Sequence, residues 1–126
     1  MDENELSHQI IKAAIEVHRT LGGPGLLESV YEEALVWELK ESGLEVDRQK
    51  QLPIPYKGIV LADPLRLDVL VNNRVIVECK AVVTYHPIFE AQALTYLRIT
   101  NLKLALVINF GEKFVKQGIR RVANNL

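Results

Sequence analysis

Two apolar runs, Leu65-Arg66-Leu67-Asp68-Val69-Leu70-Val71 and Val75-Ile76-Val77-Glu78-Cys79-Lys80-Ala81-Val82, flank the short segment Asn72-Asn73-Arg74. Both alternate with period two, the signature of strands, and the turn-forming asparagines between them predict a β-hairpin. Leu65, Leu67, Val69 and Val71 form one wholly apolar set, and Val75, Val77, Cys79 and Ala81 form another. Both sets are expected on the same core face. A two-residue loop at Asn72-Asn73 would pair Val69 with Ile76 and drive a carboxylate into that core. A three-residue loop, with Arg74 at its left-handed position, pairs Val71 with Val75 and sets Asp68 opposite Glu78. A bulge elsewhere in the hairpin has the same effect.

Two carboxylates and the Lys80 ammonium then converge on one patch. Directly opposed strand positions lie within about 5.5 Å at Cβ. Acids that close repel, and one pKa rises unless a cation sits between them. Lys80 supplies part of that charge, and a divalent ion would supply more. Hard oxygen ligands suit Mg2+ or Mn2+, which need only one or two carboxylates with water and substrate phosphate. Asp, Glu and Lys on a sheet face are more often ordinary solvated pairing. Here Leu70, Ile76 and Val82 share their face, so the charges sit partly among apolar groups, which favours a functional site.

Working outward, Leu6, Ile10, Ala14, Val17 and Leu21 recur at helical spacing and predict a helix over 6–21. Asp2, with Glu5 three later, suits its start, and Gly22-Gly23-Pro24-Gly25 stops it. A second helix is expected over 27–42, with Glu28, Glu32 and Glu33 early, where the helix dipole favours acids. A strand follows over 44–52. Pro53, Pro55 and the turns at Tyr56-Lys57-Gly58 and Asp63-Pro64 mark an irregular edge. Pro87 opens a helix that runs to about Thr100. Two stripes compete on it: Ile88, Ala91, Leu94 or Thr95, and Arg98 against Phe89, Gln92 and Tyr96. Residues 103–110 read as a strand buried on both faces. Residues 113–122 fit either a strand or a short helix. The expected fold class is α/β of the α+β type, in one domain over residues 1–126.

The chain has 126 residues, 48% of them hydrophobic and 25% charged, with a net charge of −1. That balance argues against a protein that coats nucleic acid non-specifically, while leaving room for a local basic groove. The single cysteine, Cys79, excludes an internal disulfide and a thiolate zinc site. It reads as a small core residue in a reducing compartment. No run approaches the ~20 apolar residues of a membrane span, and the acidic start lacks the features of a signal peptide. The expectation is a cytoplasmic protein with no membrane partner. Trp37 is expected to pack in the core, and His18 and His86 to lie at the surface or cap a helix.

Asp68 followed by Glu78-x-Lys80 resembles the PD-(D/E)XK nuclease signature. The segment Gly25-Leu26-Leu27-Glu28-Ser29-Val30-Tyr31 resembles the GxxExxY pattern of one branch of that superfamily. Tyr56-Lys57-Gly58, Arg66-Leu67-Asp68, Glu90-Ala91-Gln92, Tyr96-Leu97 and Ile108-Asn109-Phe110-Gly111 fall in the order of that branch. Phe89 stands where the branch commonly has a polar residue. The resemblance implies a restriction-endonuclease-like core, a mixed sheet flanked by helices, and Mg2+- or Mn2+-dependent hydrolysis of phosphodiesters in nucleic acid, DNA in the first instance. It implies that Asp68, Glu78, the carbonyl of Cys79 and Glu28 hold metal. It also implies that Lys80 acts on the attacking water or the developing charge, and that Gln92 lines the site. Tyr31, Tyr96 and Arg66 are candidate substrate contacts, weighed against core packing for the tyrosines and a solvated surface for Arg66. The alternatives are a non-catalytic nucleic-acid- or protein-binding domain that keeps the fold, and a hydrolase of a smaller phosphate ester. So small a domain leaves room for a homodimer or another partner around a duplex.

Overall fold

The computed structural model describes residues 1–126. Helix α1 spans Glu3–Leu21 and α2 spans Glu28–Glu41. Asp2 caps α1 by accepting the Glu5 N–H at 2.8 Å, and Gly22 ends it in the left-handed region at φ 97°. Strand β1 is Val46–Leu52, and the small hairpin β2 (Pro55–Tyr56) and β3 (Ile59–Val60) stands apart from the main sheet. Strands β4 (Leu65–Val71) and β5 (Val75–Lys80) form the central hairpin, followed by α3 (Ile88–Thr100) and β6 (Leu104–Asn109). The undecided C-terminal stretch contains both elements, a 3-10 turn at Val115–Gly118 and strand β7 at Ile119–Ala123.

The main sheet runs β1-β4-β5-β6-β7. Only β5 and β6 are parallel, because α3 carries the chain from one to the other; the remaining neighbours are antiparallel. This is the mixed sheet flanked by helices that the resemblance implies. Leu6, Ile10, Val17, Leu35 and Leu39 from α1 and α2 pack on Val69, Val71, Val75, Val77 and Cys79. Ala93 and Leu97 of α3 cover the other face with Leu70, Ile76, Ala105 and Val107. Neither expected stripe of α3 is complete. Phe89 and Tyr96 do turn inward, but the buried line runs through Ala93 and Leu97, while Gln92 stays exposed.

The hairpin has the register that aligns Asp68 with Glu78: Val71 pairs with Val75 and Val69 with Val77. Its turn differs from the expected one. Asn72 and Asn73 both take left-handed conformations, φ 51° and 54°, and the Arg74 N–H closes on the Val71 carbonyl at 2.9 Å. That is a primed two-residue turn, and Arg74 is the extra residue that shifts the register.

The expected single face for Leu65, Leu67, Val69 and Val71 needs correction. Leu65 and Leu67 join the α3 side, and Val69 and Val71 join the α1–α2 side. Alternation therefore slips by one residue at Asp68, which pairs with neither neighbouring strand. Across from it on β1, Gln49 is also unpaired and left-handed at φ 54°. The two irregularities offset each other, so the β1–β4 register is the same on both sides. Two further expectations fail. Trp37 is 61% exposed, because the face of α2 that meets the sheet belongs to Tyr31, Leu35 and Leu39. His18 is buried, with Nε2 3.1 Å from the Phe110 carbonyl. His86 does act as a cap, its Nδ1 accepting the Ile88 N–H at 3.0 Å.

The chain leaving β5 is clamped by Asn109. Its side-chain oxygen accepts the Val82 and Gly111 N–H groups, each at 3.0 Å, and its amide donates to the Val82 carbonyl at 3.1 Å. A Cβ on Gly111 would stand 2.2 Å from that same Val82 carbonyl oxygen, a backbone atom that cannot swing away. Gly111→Ala is expected to lower stability by about 3 kcal/mol in urea unfolding. A variant as stable as the parent would show that Val82 is not held against Gly111.

Candidate active site

The acids of the hairpin meet through the backbone. Beyond Val69–Val77 the β4–β5 ladder stops. In its place the Asp68 N–H donates to Glu78 Oε2 at 2.9 Å, and the Cys79 N–H donates to Asp68 Oδ2 at 3.0 Å. Each carboxylate thus fixes the strand that carries the other. Each keeps a second oxygen, Asp68 Oδ1 and Glu78 Oε1, outside these two bonds, and the Gln49 side chain also steadies the Asp68 carboxylate. No side-chain oxygen is buried without a partner, so neither of these oxygens is fully sealed from solvent.

Helix α2 brings more negative charge to the same place. Glu28 and Glu32 are one turn apart and share a helix face. Glu28 sits at the rim, whereas Glu32 is buried. Arg48 Nε lies 2.7 Å from Glu32, and the Gln49 amide donates to both Glu32 oxygens at 3.1 and 3.0 Å. These contacts tie α2 to β1 at the position opposite Asp68. Glu32, Arg48 and Gln49 are absent from the sequence reading of the site. The available signal was the Glu28–Glu32 spacing, because a second acid on the same turn must face the same way.

Desolvation dominates the electrostatics. It raises Glu78 from 4.5 to about 8, with the Asp68 charge adding to the rise and the Asp68 N–H and Lys80 opposing it. Asp68 is raised as well, by burial first, and is held back by the Cys79 N–H. Glu28 shifts the same way through burial and then through the Asp68 charge. Lys80 is the cation that opposes all three of these shifts. Arg48 is committed to Glu32. With the Glu32–Arg48 pair set aside, three acids against one ammonium leave the site short of positive charge.

The Lys80 ammonium lies 4.7 Å from the centre of the Phe89 ring, at the start of α3. A cation over an aromatic face is held there electrostatically. Phe89 therefore holds the Lys80 ammonium at the start of α3. Gln92 is one turn further along α3, and the Tyr96 hydroxyl is pushed up by burial and by the charges of Glu78 and Asp68, with Gln92 and Arg66 countering. Arg66, Gln92 and Tyr96 thus border the acid pair. Tyr31 does not. It is fully buried, its ring stacked on Phe110 at 4.8 Å, and its hydroxyl donates to the Gly23 carbonyl and accepts the Leu26 N–H. The candidate role of Tyr31 as a substrate contact is corrected to one of fixing the glycine loop before Glu28. The Cys79 thiol is buried and raised well above its usual range by desolvation, so only its backbone faces chemistry.

The donor set fits a hard divalent cation. No three His, Cys, Asp or Glu side chains gather closely enough to hold an ion by themselves. Asp68 and Glu78 offer one further oxygen each, and such a pair suffices when water and phosphate complete the shell. The pH dependence of stability follows from the raised acids. In the unfolded chain Glu78 titrates at its ordinary value, 4.5; in the fold it holds its proton to about 8. Below 4.5 both states are protonated. Between 4.5 and about 8 the folded state binds the extra proton, so stability falls as pH rises and levels off above the folded value. The urea midpoint of the parent is expected to fall more steeply across that window than that of Glu78→Gln. Equal slopes would contradict a desolvated Glu78.

The fold can now be set beside known proteins. A family model of the PD-(D/E)XK nuclease superfamily matches residues 4–122. No curated protein and no solved structure matches the chain. The matched span runs from α1 to β7 and includes Asp68, Glu78 and Lys80 in the order of the signature. This chain belongs to the PD-(D/E)XK nuclease superfamily.

Proposed function

We propose that this protein is a Mg2+- or Mn2+-dependent nuclease of the GxxExxY branch that hydrolyses phosphodiester bonds in DNA. The observation that carries the reading is the crossed pair of backbone bonds, which holds two desolvated carboxylates side by side with a second oxygen of each left outside those bonds. Asp68 and Glu78 would hold the ion with the Cys79 carbonyl, and Glu28, which does not gather with them as a third ligand, would reach it through water. When bound, such an ion lowers the pKa of a water and offsets phosphoryl charge.

The remaining roles fall to side chains already in place. Lys80, held over Phe89, sets a point charge where negative charge builds on the scissile phosphate. Gln92, exposed on α3, offers an amide to the attacking water or to a phosphate oxygen. Arg66 and Tyr96, at the border, suit contact with the backbone of the strand. None of the five main cavities is lined by Asp68, Glu78 or Lys80. An acid pair outside those cavities favours a polymeric substrate over a small phosphate ester that needs enclosure. No helix is long and apolar enough to cross a membrane, and the proposal places the enzyme in the cytoplasm as a single domain that acts alone or as a homodimer.

Plasmid and single-stranded DNA incubated with Mn2+ test this directly. Glu78→Ala is expected to cut the cleavage rate by about two orders of magnitude or more, and chelation to do the same to the parent. Circular dichroism of the variant should match that of the parent. A Glu78→Ala protein that cleaves at the parent's rate would overturn the assignment.

A further inference from the structure

A second feature lies at the C-terminal end of α1. A cavity of about 680 Å3 opens between the end of α1, the glycine loop and the segment after β6. Its volume is that of a small-molecule site. Arg19, Lys113 and Lys116 line it, and no acidic side chain does. Arg19 is pinned by Glu16 at 2.7 Å, so Lys113 and Lys116 are the free cations. Phe114 lines the same wall and is 58% exposed, with the Lys113 ammonium 5.5 Å from its ring centre. An aromatic face is thus left in water between two lysines.

His18 supplies an independent sign of a ligand. It is 5% exposed and lines the cavity. Its Nε2 faces the Phe110 carbonyl, which can only accept, so Nε2 carries the hydrogen. Nδ1 is then the second polar atom of the ring, and it has no partner in the protein. No buried side-chain nitrogen lacks a partner, so Nδ1 is not sealed in the core, and the ring it belongs to lines the cavity.

The cavity is joined to the acid site by a short chain of bonds. The Phe110 N–H donates to the Lys80 carbonyl at 2.7 Å, and the Phe110 carbonyl accepts from His18. One residue therefore separates the backbone of Lys80 from the cavity wall. Cations for phosphate, an aromatic face for a base and a buried ring nitrogen for a polar edge are the parts of a nucleotide site.

We propose that this cavity is a nucleotide subsite that takes a nucleoside phosphate, with Phe114 as the stacking face and Lys113 and Lys116 on the phosphate. It rests on the nuclease reading in one respect: the nucleotide is taken to be a unit of the strand cut beside Lys80. A free nucleotide shares the same chemistry.

Lys113, Phe114 and Lys116 are exposed, so their replacement leaves the core intact. Binding of a fluorescent oligothymidylate and of free thymidine monophosphate is measured in chelator, where no cleavage occurs, across a range of salt. The Lys113→Gln/Lys116→Gln double variant is expected to bind the oligonucleotide about tenfold more weakly. Its slope of log affinity on log salt should be shallower by about 1.4. Phe114→Leu should weaken binding about fivefold with the slope unchanged. An oligonucleotide bound more tightly than the mononucleotide identifies a strand as occupant, and equal affinities identify a free nucleotide; both support the subsite. Variants that match the parent in affinity and slope overturn it. If the parent still cleaves DNA with Mn2+ in that case, the nuclease reading stands without the subsite. A parent that neither binds nor cleaves removes both.

Discussion

The N–H groups of Asp68 and Cys79 donate to carboxylates where a β-ladder would otherwise continue, and the arrangement around them depends on that exchange. A buried N–H without an acceptor costs about 1–3 kcal/mol, so strands cannot part freely. Here the acids themselves satisfy the donors released by the parting. The carboxylates are consequently fixed by main chain, not by flexible side-chain pairing. The same event shifts the phase of β4, sending Leu67 to one core and Val69 to the other. Fold and site meet in one residue, Asp68.

Around that residue the protein places more acid than base. Glu28, Glu32, Asp68 and Glu78 are met by Arg48, spent on Glu32, and by Lys80. A fold has no structural reason to desolvate like charges, which lose stability as pH rises. Strain points the same way. Gln49 sits in a left-handed conformation inside a strand while its amide bridges Glu32. Such outliers persist where surrounding contacts hold them, and they gather at functional sites. The Asn109 clamp and the Phe110–Lys80 bond then fix the exit of β5, so Lys80 leaves the sheet toward Phe89.

Much of this was legible in the residues. Asn72-Asn73 signals the turn, and the apolar alternation around it selects the register that aligns Asp68 with Glu78. The cap at Asp2 and the stop at Gly22 are local chemistry and follow from local sequence. What escaped depends on neighbours far along the chain. The phase slip at Asp68 requires β1 as the partner strand, with Gln49 irregular at the same level, and alternation within β4 carries no trace of either. Trp37 looks like core because α2 is apolar on more than one side, and only docking on the sheet decides which side is covered. Tyr31 shares a face with Glu28, yet the stacking on Phe110 draws it inward. Glu32 was within reach of helix spacing alone, but its partners Arg48 and Gln49 come from another element.

The central claim is that Asp68 and Glu78 present one oxygen each to a shared divalent ion. Crystals soaked in Mn2+ and measured for anomalous scattering test it most directly. The account predicts a single strong peak within coordination distance of Asp68 Oδ1 and Glu78 Oε1, with the bonds to the Asp68 and Cys79 N–H groups intact. A peak elsewhere on the molecule, or none beside this pair at saturating Mn2+, would contradict it.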